Sequence, residues 1–187
     1  DYEILQAELQ DRQQSDQEFD VHLVGPDQDG IAAVSEVLAR YHDLDAVHII
    51  SHGNSTGLQL GDSWIDSAAL ERHADGLVAW QSALSADADL LLYGCDLASG
   101  GEGRDFVDSL AGLTGADVAA SDDPTGSLRL GGDWDLEYRT GTLQTDSLSD
   151  PALSSDWQGL LGASPAGGEI LVNENPLAWA QSTLNAT

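Results

Sequence analysis

The stretch AVHIISHG, residues 46–53, decides the fold class of this chain of 187 residues. Its first six residues form a nearly continuous apolar run, which predicts a strand buried on both faces of a sheet. A second run of the same character, ADLLLYG, follows at residues 88–94. Helical periodicity is found at residues 31–41, 67–84 and 102–114. Because strands alternate with helices, we expect an α/β fold with a mostly parallel sheet and helices on both faces.

Other segments complete the predicted domain. Alternating patterns predict strands at residues 19–25 and 116–121 and β-hairpins at 57–66 and 127–141, and a polar helix is expected at 2–14. After Thr145 the composition becomes rich in Ser, Asp, Ala, Gly and Pro, as in a linker. We therefore expect one domain over residues 1–145 and a C-terminal extension over residues 146–187. The EILV segment (169–172) would add one edge strand.

The charge of the chain restricts its partners. It has 33 acidic and six basic residues, and its net charge is −27. Such a surface repels nucleic acids and anionic lipids, so we expect no nucleic-acid partner. No apolar run approaches the roughly 18 residues that span a membrane, so no membrane insertion is expected. The first residues lack the features of a signal peptide, and any export signal is expected to lie outside this segment.

Two predicted strands end in residues that could do chemistry. AVHIIS leads into His52 and Gly53, and DLLLYG leads into Cys95. The carboxyl ends of parallel strands meet at one edge of a sheet, about 4.8 Å apart if the strands are neighbours. A cysteine nucleophile needs a base such as histidine to become a thiolate at neutral pH. The N–H groups of Gly53 and Cys95 could stabilise an oxyanion, because Gly53 and Gly94 let the backbone approach a bound acyl group.

Simpler interpretations of the same residues stay open. Cys95 is the only cysteine, so it forms no disulfide within the chain, and a buried inert thiol beside a loop histidine is the alternative. His48 lies about 13 Å from His52 along a strand, too far to share a metal, and is expected to be a buried, hydrogen-bonded residue. One Cys and one His leave a zinc site half built. An EF-hand loop around Asp27 fails because Gly25 would occupy its first position. We expect neither a metal nor another cofactor.

Longer motifs resemble a known family. DGIAAVSEVLARYHDLDAVHIISHG, LQLGDSWID, DLLLYGCDLASGGEGRDFVDSLAGLTGADVAASDDPTG and LGGDWDLEY are similar to DUF4347 domains over roughly residues 1–145. Those domains lie near the start of very large bacterial surface or secreted repeat proteins, including adhesin-like ones. The resemblance implies a secreted or cell-surface location within a larger exported protein. Relatives usually carry a further short strand before the pair matching Asp1-Tyr2. For this chain the resemblance leaves three expectations open: that strand has been trimmed, removed by cleavage or replaced by EILV.

The strand ends also resemble those of caspase-like cysteine peptidases, the clan CD and CHAT-type group. A strand ending in His-Gly and a later strand ending in a small residue plus Cys are typical of that group, and they imply a three-layer caspase-like fold. The cysteine lies in LYGCDLASG, which departs from the caspase signature and excludes a true caspase.

The same resemblance implies a substrate preference. In metacaspase-like relatives, acids beside the cysteine and after the next strand select Arg or Lys before the cut bond. Asp96, Ser121, Asp122 and Asp123 occupy comparable places, so cleavage after a basic residue is expected. SDDPTG is alternatively an acidic turn that contains proline.

Two hypotheses about function follow from these observations. In the first, the domain is a cysteine endopeptidase with a Cys-His dyad, in which Cys95 is the nucleophile and His52 the general base and acid. Its substrate would be its own polypeptide or a sister adhesin. In the second, it is a non-catalytic structural or anchoring module of a bacterial surface adhesin, and Cys95 is inert.

Overall fold

A six-stranded sheet forms the centre of the molecule. The computed structural model describes residues 4, 5, 7, 9, 19–149, 151–162 and 169–174. In order across the sheet, the strands are β1 (Phe19–Val24), β9 (Glu169–Glu174), β2 (Leu44–Ile50), β6 (Leu84–Tyr93), β7 (Asp117–Ala120) and β8 (Tyr138–Arg139). Strands β1, β2, β6 and β7 run in one direction, and β8 and β9 run in the other. The prediction of an α/β fold with a mostly parallel central sheet is confirmed, and β8 and β9 make that sheet mixed.

Smaller elements surround this sheet. A three-stranded sheet consists of β3 (Gly53–Asn54), β4 (Gly57–Leu60) and β5 (Ser63–Asp66). The helices are α1 (Gly30–Leu38), α2 (Ser67–Arg72), α3 (Ala74–Ala79), α4 (Gly101–Thr114) and α5 (Pro151–Asp156). Ile4, Leu5, Ala7 and Leu9 are also helical, and the rest of the predicted helix at 2–14 lies outside the described residues. Within the described part of the chain, every helix is too short or too polar to cross a membrane.

Side chains alternate across β2 and β6 and thereby divide the core into two clusters. Val47 and Ile49 pack in the cluster that includes residues of α1 to α4. On the other face, the second cluster contains Leu5, Leu9, Ala46, Ile50, Leu91, Tyr93, Cys95, Trp134, Leu148, Leu153, Trp157 and Leu161. Because both faces of the central strands are covered, their sequences read as continuous apolar runs.

Residues 146–162 differ from the expected linker. Leu148, Leu153, Trp157 and Leu161 are all buried in the second cluster. These apolar side chains are four or five positions apart, and the residues between them include several Ser and Asp, so the composition of the segment resembles that of a linker. The folded domain therefore includes residues 146–149 and 151–162, and β9 belongs to its central sheet as well.

The EILV segment forms β9, but inside the sheet and not at its edge. Strand β9 lies between β1 and β2 and pairs antiparallel with both along its length. Strands β1 and β2 are parallel to each other and are joined only through β9 among the described strands. A short apolar strand has the same sequence character at an edge or in the interior, so the pattern did not reveal its position.

Two other segments also differ from prediction. The first arm of the expected hairpin at 127–141 is a 3-10 turn, Leu128–Leu130, and its two leucines are exposed because no sheet face covers them. The second arm contributes β8, which pairs with β7 instead. The predicted helix at 67–84 is interrupted at His73, between α2 and α3.

Two polar side chains of β6 bind residues 144–148, which lie on the side of the sheet that carries the second cluster. Asp89 Oδ2 accepts hydrogen bonds from the N–H groups of Gln144 and Thr145, both at 2.7 Å. Burial raises the pKa of Asp89, although these hydrogen bonds act in the opposite direction. The Tyr93 hydroxyl oxygen accepts a further hydrogen bond from Leu148 N–H at 2.8 Å. These contacts direct residues 144–148 toward the carboxyl ends of the central strands.

Candidate active site beyond strands β2 and β6

His52 and Cys95 follow the carboxyl ends of the neighbouring strands β2 and β6, at the same level of the sheet. Strands β2 and β6 pair in parallel up to Ile50 and Tyr93, and Ser51 N–H extends the ladder to Tyr93 O at 2.9 Å. His52 and Cys95 each come two residues after that last pair. Within the described residues, no hydrogen bond joins Cys95 Sγ to the His52 imidazole.

Two glycines allow the backbones of the strand ends to touch. A Cβ atom on Gly53 would lie 3.3 Å from both Cα and C of Gly94. A Cβ on Gly94 would lie 3.2 Å from Ser51 O. Because neither residue has a side chain, the two backbones approach within van der Waals contact. This approach places the N–H groups of Gly53 and Cys95 within reach of one acceptor.

That acceptor is a carbonyl group of the chain itself. Leu161 O accepts a hydrogen bond from Gly53 N–H at 2.8 Å and another from Cys95 N–H at 3.2 Å. These are the two donors that the sequence suggested for an oxyanion. Leu161 was not among the predicted site residues.

The residues around Leu161 pair with residues 125–127 as an extended segment. We call residues 159–162 the cleft segment. Leu161 N–H donates to Thr125 O at 2.9 Å, and Ser127 N–H donates to Gly159 O at 2.8 Å. The cleft segment therefore lies antiparallel to residues 125–127. Addition of a strand to an exposed edge is a common way to bind an extended peptide.

His52 and Cys95 lie close to the next residue, Gly162. His52 Nδ1 donates a hydrogen bond to Gly162 O at 2.6 Å, and because a carbonyl only accepts, Nδ1 carries the proton in this contact. A Cβ atom on Gly162 would lie 3.9 Å from Cys95 Sγ. The peptide bond from Leu161 to Gly162 is thus next to both side chains.

The Cys95 thiol is covered and hydrogen-bonded. Its side chain belongs to the second apolar cluster, and only 3% of the residue is exposed. Sγ lies 3.3 Å from Thr125 N and 3.4 Å from Thr125 O. Burial raises the pKa of Cys95, the hydrogen bond from Thr125 N–H lowers it, and the charge of Asp96 raises it further. The neutral thiol is therefore the favoured form while the cleft segment is in place.

Three of the four residues expected to select a basic substrate lie together. Asp96 N–H donates to Asp123 O at 2.8 Å, and the buried Ser121 hydroxyl donates to the same oxygen at 2.9 Å. Asp122 instead approaches Arg104 of α4, with 3.7 Å between its carboxylate and the guanidinium. In the structure, the residue whose carbonyl accepts the hydrogen bond from Cys95 N–H is Leu161, which is apolar and not basic.

Asp123 also belongs to a group of acids. Its carboxylate lies with those of Asp133 and Glu137, with ligand oxygens within 4.8 Å of one another. Burial, followed by the charges of Asp133 and Asp122, raises the pKa of Asp123. Burial likewise raises the pKa of Glu137, while Asp122 N–H donates a hydrogen bond to its Oε2 at 2.9 Å.

We expect Asp123→Asn to stabilise the fold at neutral pH. Because folding raises the pKa of this carboxyl group, its ionised form disfavours the folded state above that pKa, and the penalty disappears below the ordinary value. The group is partly exposed, so the gain should be below about 1 kcal/mol. Urea unfolding near pH 7 and near pH 3 measures it, with the exposed Asp87→Asn as control. An equal change at both pH values would contradict this cause.

The other histidine of β2 is a core residue. His48 is fully buried, and its Nδ1 lies 3.2 Å from the Tyr93 hydroxyl. Its ring stacks on that of Tyr93, with centroids 5.9 Å apart and an interplanar angle of 7°. The prediction of a buried, hydrogen-bonded His48 is confirmed.

Sequence reasoning missed the cleft segment, although QGLLG carried a weak signal. Two adjacent leucines between glycines are unusual in a stretch that otherwise reads as a polar linker. His52 and Gly162, which are in contact, are 110 positions apart in the sequence, and no local sequence pattern can predict a contact between such distant positions.

Comparison with known proteins places the chain in one family. The model of the Domain of unknown function DUF4347 matches residues 1–161, further than the predicted boundary at 145 and up to the leucine held in the cleft. Neither a curated protein nor a solved structure matches the chain significantly. Because the match covers most of the sequence, the chain belongs to the DUF4347 family.

Proposed function

We propose that this domain is a cysteine endopeptidase with a caspase-like, three-layer fold, which processes its own polypeptide. Cys95 is the nucleophile, and His52 is the general base and acid. The observation that carries the proposal is the carbonyl of Leu161, which accepts hydrogen bonds from Gly53 N–H and Cys95 N–H beside the thiol. Two such donors stabilise the negative oxygen that forms when a peptide carbonyl is attacked.

The reaction begins with acylation of the cysteine. His52 takes the proton of the Cys95 thiol, and the thiolate attacks the carbonyl carbon of the bound peptide. The carbonyl oxygen becomes an oxyanion, held by the N–H groups of Gly53 and Cys95. The C–N bond then breaks, and His52 gives its proton to the departing amine.

Water completes the reaction. His52 removes a proton from a water molecule, which attacks the thioester carbon. The C–S bond breaks, His52 returns its proton to the Cys95 sulfur, and the upstream product leaves as a carboxylic acid that loses its proton to water. Burial raises the pKa of Cys95, so the reaction needs a base to remove the thiol proton near neutral pH.

The domain would act as a processing module of a larger exported bacterial protein, secreted or at the cell surface. Its substrate is that polypeptide or a sister adhesin molecule. The net charge of −27 argues against a nucleic-acid partner. Asp96, Ser121, Asp122 and Asp123 are less suited to select a basic residue, because Asp122 approaches Arg104 and the cleft holds a leucine.

A second candidate function is a non-catalytic structural module of a surface adhesin. Two observations favour it: burial raises the pKa of Cys95, and no hydrogen bond joins its sulfur to His52 among the described residues. In this case the cleft segment is only a strand that closes the core.

Cys95→Ala separates the two functions. We expect the wild-type chain to be cut during incubation and Cys95→Ala to stay intact, because the variant has lost the attacking atom. Denaturing electrophoresis and mass spectrometry follow the fragments, and thermal unfolding confirms that both proteins are folded. If both proteins stay whole, or both are cut alike, the domain is not a self-processing peptidase.

A further inference from the structure

We infer that the bond cut is the one between Leu161 and Gly162, and that each molecule cuts its own chain. This inference rests on the proposed function and identifies its substrate. The residue before the cut is then leucine, and the preference is for an apolar side chain instead of a basic one.

The position of the carbonyl identifies the bond. Nucleophilic attack takes place at the carbon whose oxygen lies between the oxyanion donors, and here that oxygen belongs to Leu161. The amine released from this carbon is the nitrogen of Gly162. His52 Nδ1 already contacts the carbonyl of Gly162 at 2.6 Å, so the imidazole lies on the side of the departing amine. The thiol lies by the same glycine, with no side chain between them.

The surroundings of Leu161 explain an apolar preference. Leu161 is 7% exposed and shares its cluster with Tyr93, Trp134 and Trp157. An arginine at this position would lose its hydration inside this buried cluster.

The neighbouring backbone is shaped to hold the segment closely. Gly126 has a φ of +130°, and a Cβ atom there would lie 2.5 Å from Gly159 O. A side chain at Gly126 would therefore push the cleft segment away from residues 125–127. Trp157, two residues before the segment, packs edge-on against Trp134 with ring centroids 4.9 Å apart. The segment is anchored by both backbone and side chains.

The same contacts make the reaction intramolecular. The donors, the thiol and the cleft segment belong to one chain, and the preceding residues Leu153 and Trp157 are packed in its core. A reacting group held in place within a molecule needs no encounter with another molecule. The rate constant should therefore not depend on protein concentration.

The cut leaves the two pieces associated. The downstream piece contains β9, which is hydrogen-bonded on both sides, to β1 and to β2. These ladders are independent of the bond between Leu161 and Gly162. Size-exclusion chromatography under native conditions should therefore show one species after cleavage, and only denaturing conditions should separate the pieces.

The test uses the whole chain and reads the new terminus. We expect a Cys95-dependent fragment that begins at Gly162 with the sequence GASPAG, and an upstream fragment that ends at Leu161. The rate constant should stay the same over a roughly hundredfold dilution. Leu161→Arg should be cut at least about tenfold more slowly than the wild type, since its charge is desolvated. Gln158→Arg adds the same charge at an exposed position outside the cleft segment and should be cut like the wild type. Thermal unfolding shows whether each variant is folded.

The outcomes separate this inference from the proposed function. Cys95-dependent cleavage at another bond, for example after Arg129 or Arg139, overturns the inference and leaves a cysteine peptidase. A rate constant that falls on dilution overturns the intramolecular reaction, and equal cleavage of Leu161→Arg overturns the apolar preference. If no Cys95-dependent fragment appears, the inference and the proposed function both fail.

Discussion

Replacement of His52 by alanine should slow self-cleavage by about 10³-fold while the domain stays folded. General acid–base catalysis by a positioned side chain contributes about 10²–10⁴-fold, and His52 carries out the proton transfers in both the acylation and the hydrolysis of the proposed reaction. The variant also loses the hydrogen bond from Nδ1 to Gly162 O. Fragment formation on denaturing gels gives the rate, and thermal unfolding reports the fold.

A matched control and a chemical rescue sharpen this experiment. His73→Ala changes a half-buried histidine at the junction of α2 and α3 and should not alter the rate. Imidazole added to His52→Ala should restore part of the activity, because it replaces the missing base. A structural role for His52 would show no rescue. An unchanged rate in His52→Ala, or an equal loss in His73→Ala, would contradict the assigned role.

Leu161→Asp should make the Cys95 thiol react with iodoacetamide about a hundredfold faster. The leucine anchors the cleft segment over the thiol, and loss of a buried leucine typically removes about 3 kcal/mol. Since about 1.4 kcal/mol corresponds to a tenfold change in an equilibrium, the open form of the segment should become about a hundred times more populated. Alkylation then follows that local opening.

This experiment does not depend on catalysis. It is done in the His52→Ala background, so that the chain stays whole, and the label has a single target because Cys95 is the only cysteine. Mass spectrometry gives the labelling rate near neutral pH, and the rate in urea gives the upper limit. Gln158→Asp adds the same charge at an exposed position next to the segment and should change little. Equal rates for the two variants would show that Leu161 does not cover the thiol.

Much of the fold could be predicted from local patterns. The apolar runs of β2 and β6 are continuous because both faces of these strands are buried. Such a run can be recognised from its own residues, without knowledge of the rest of the chain. The hairpin of β4 and β5 was predicted for a similar reason, since its alternation and its turn are local. The linker-like segment at 146–162 was misread, because Leu148, Leu153 and Trp157 enter the core one at a time.

The sequence by itself determined that this is an α/β domain in which His52 and Cys95 follow two buried strands. Only the tertiary structure decided what lies between them. Leu161 O reaches Gly53 N–H and Cys95 N–H through backbone groups, and backbone hydrogen bonds leave no imprint on residue type. The position of β9 was hidden for the same reason: the ladders that hold it between β1 and β2 are made by atoms that every residue shares.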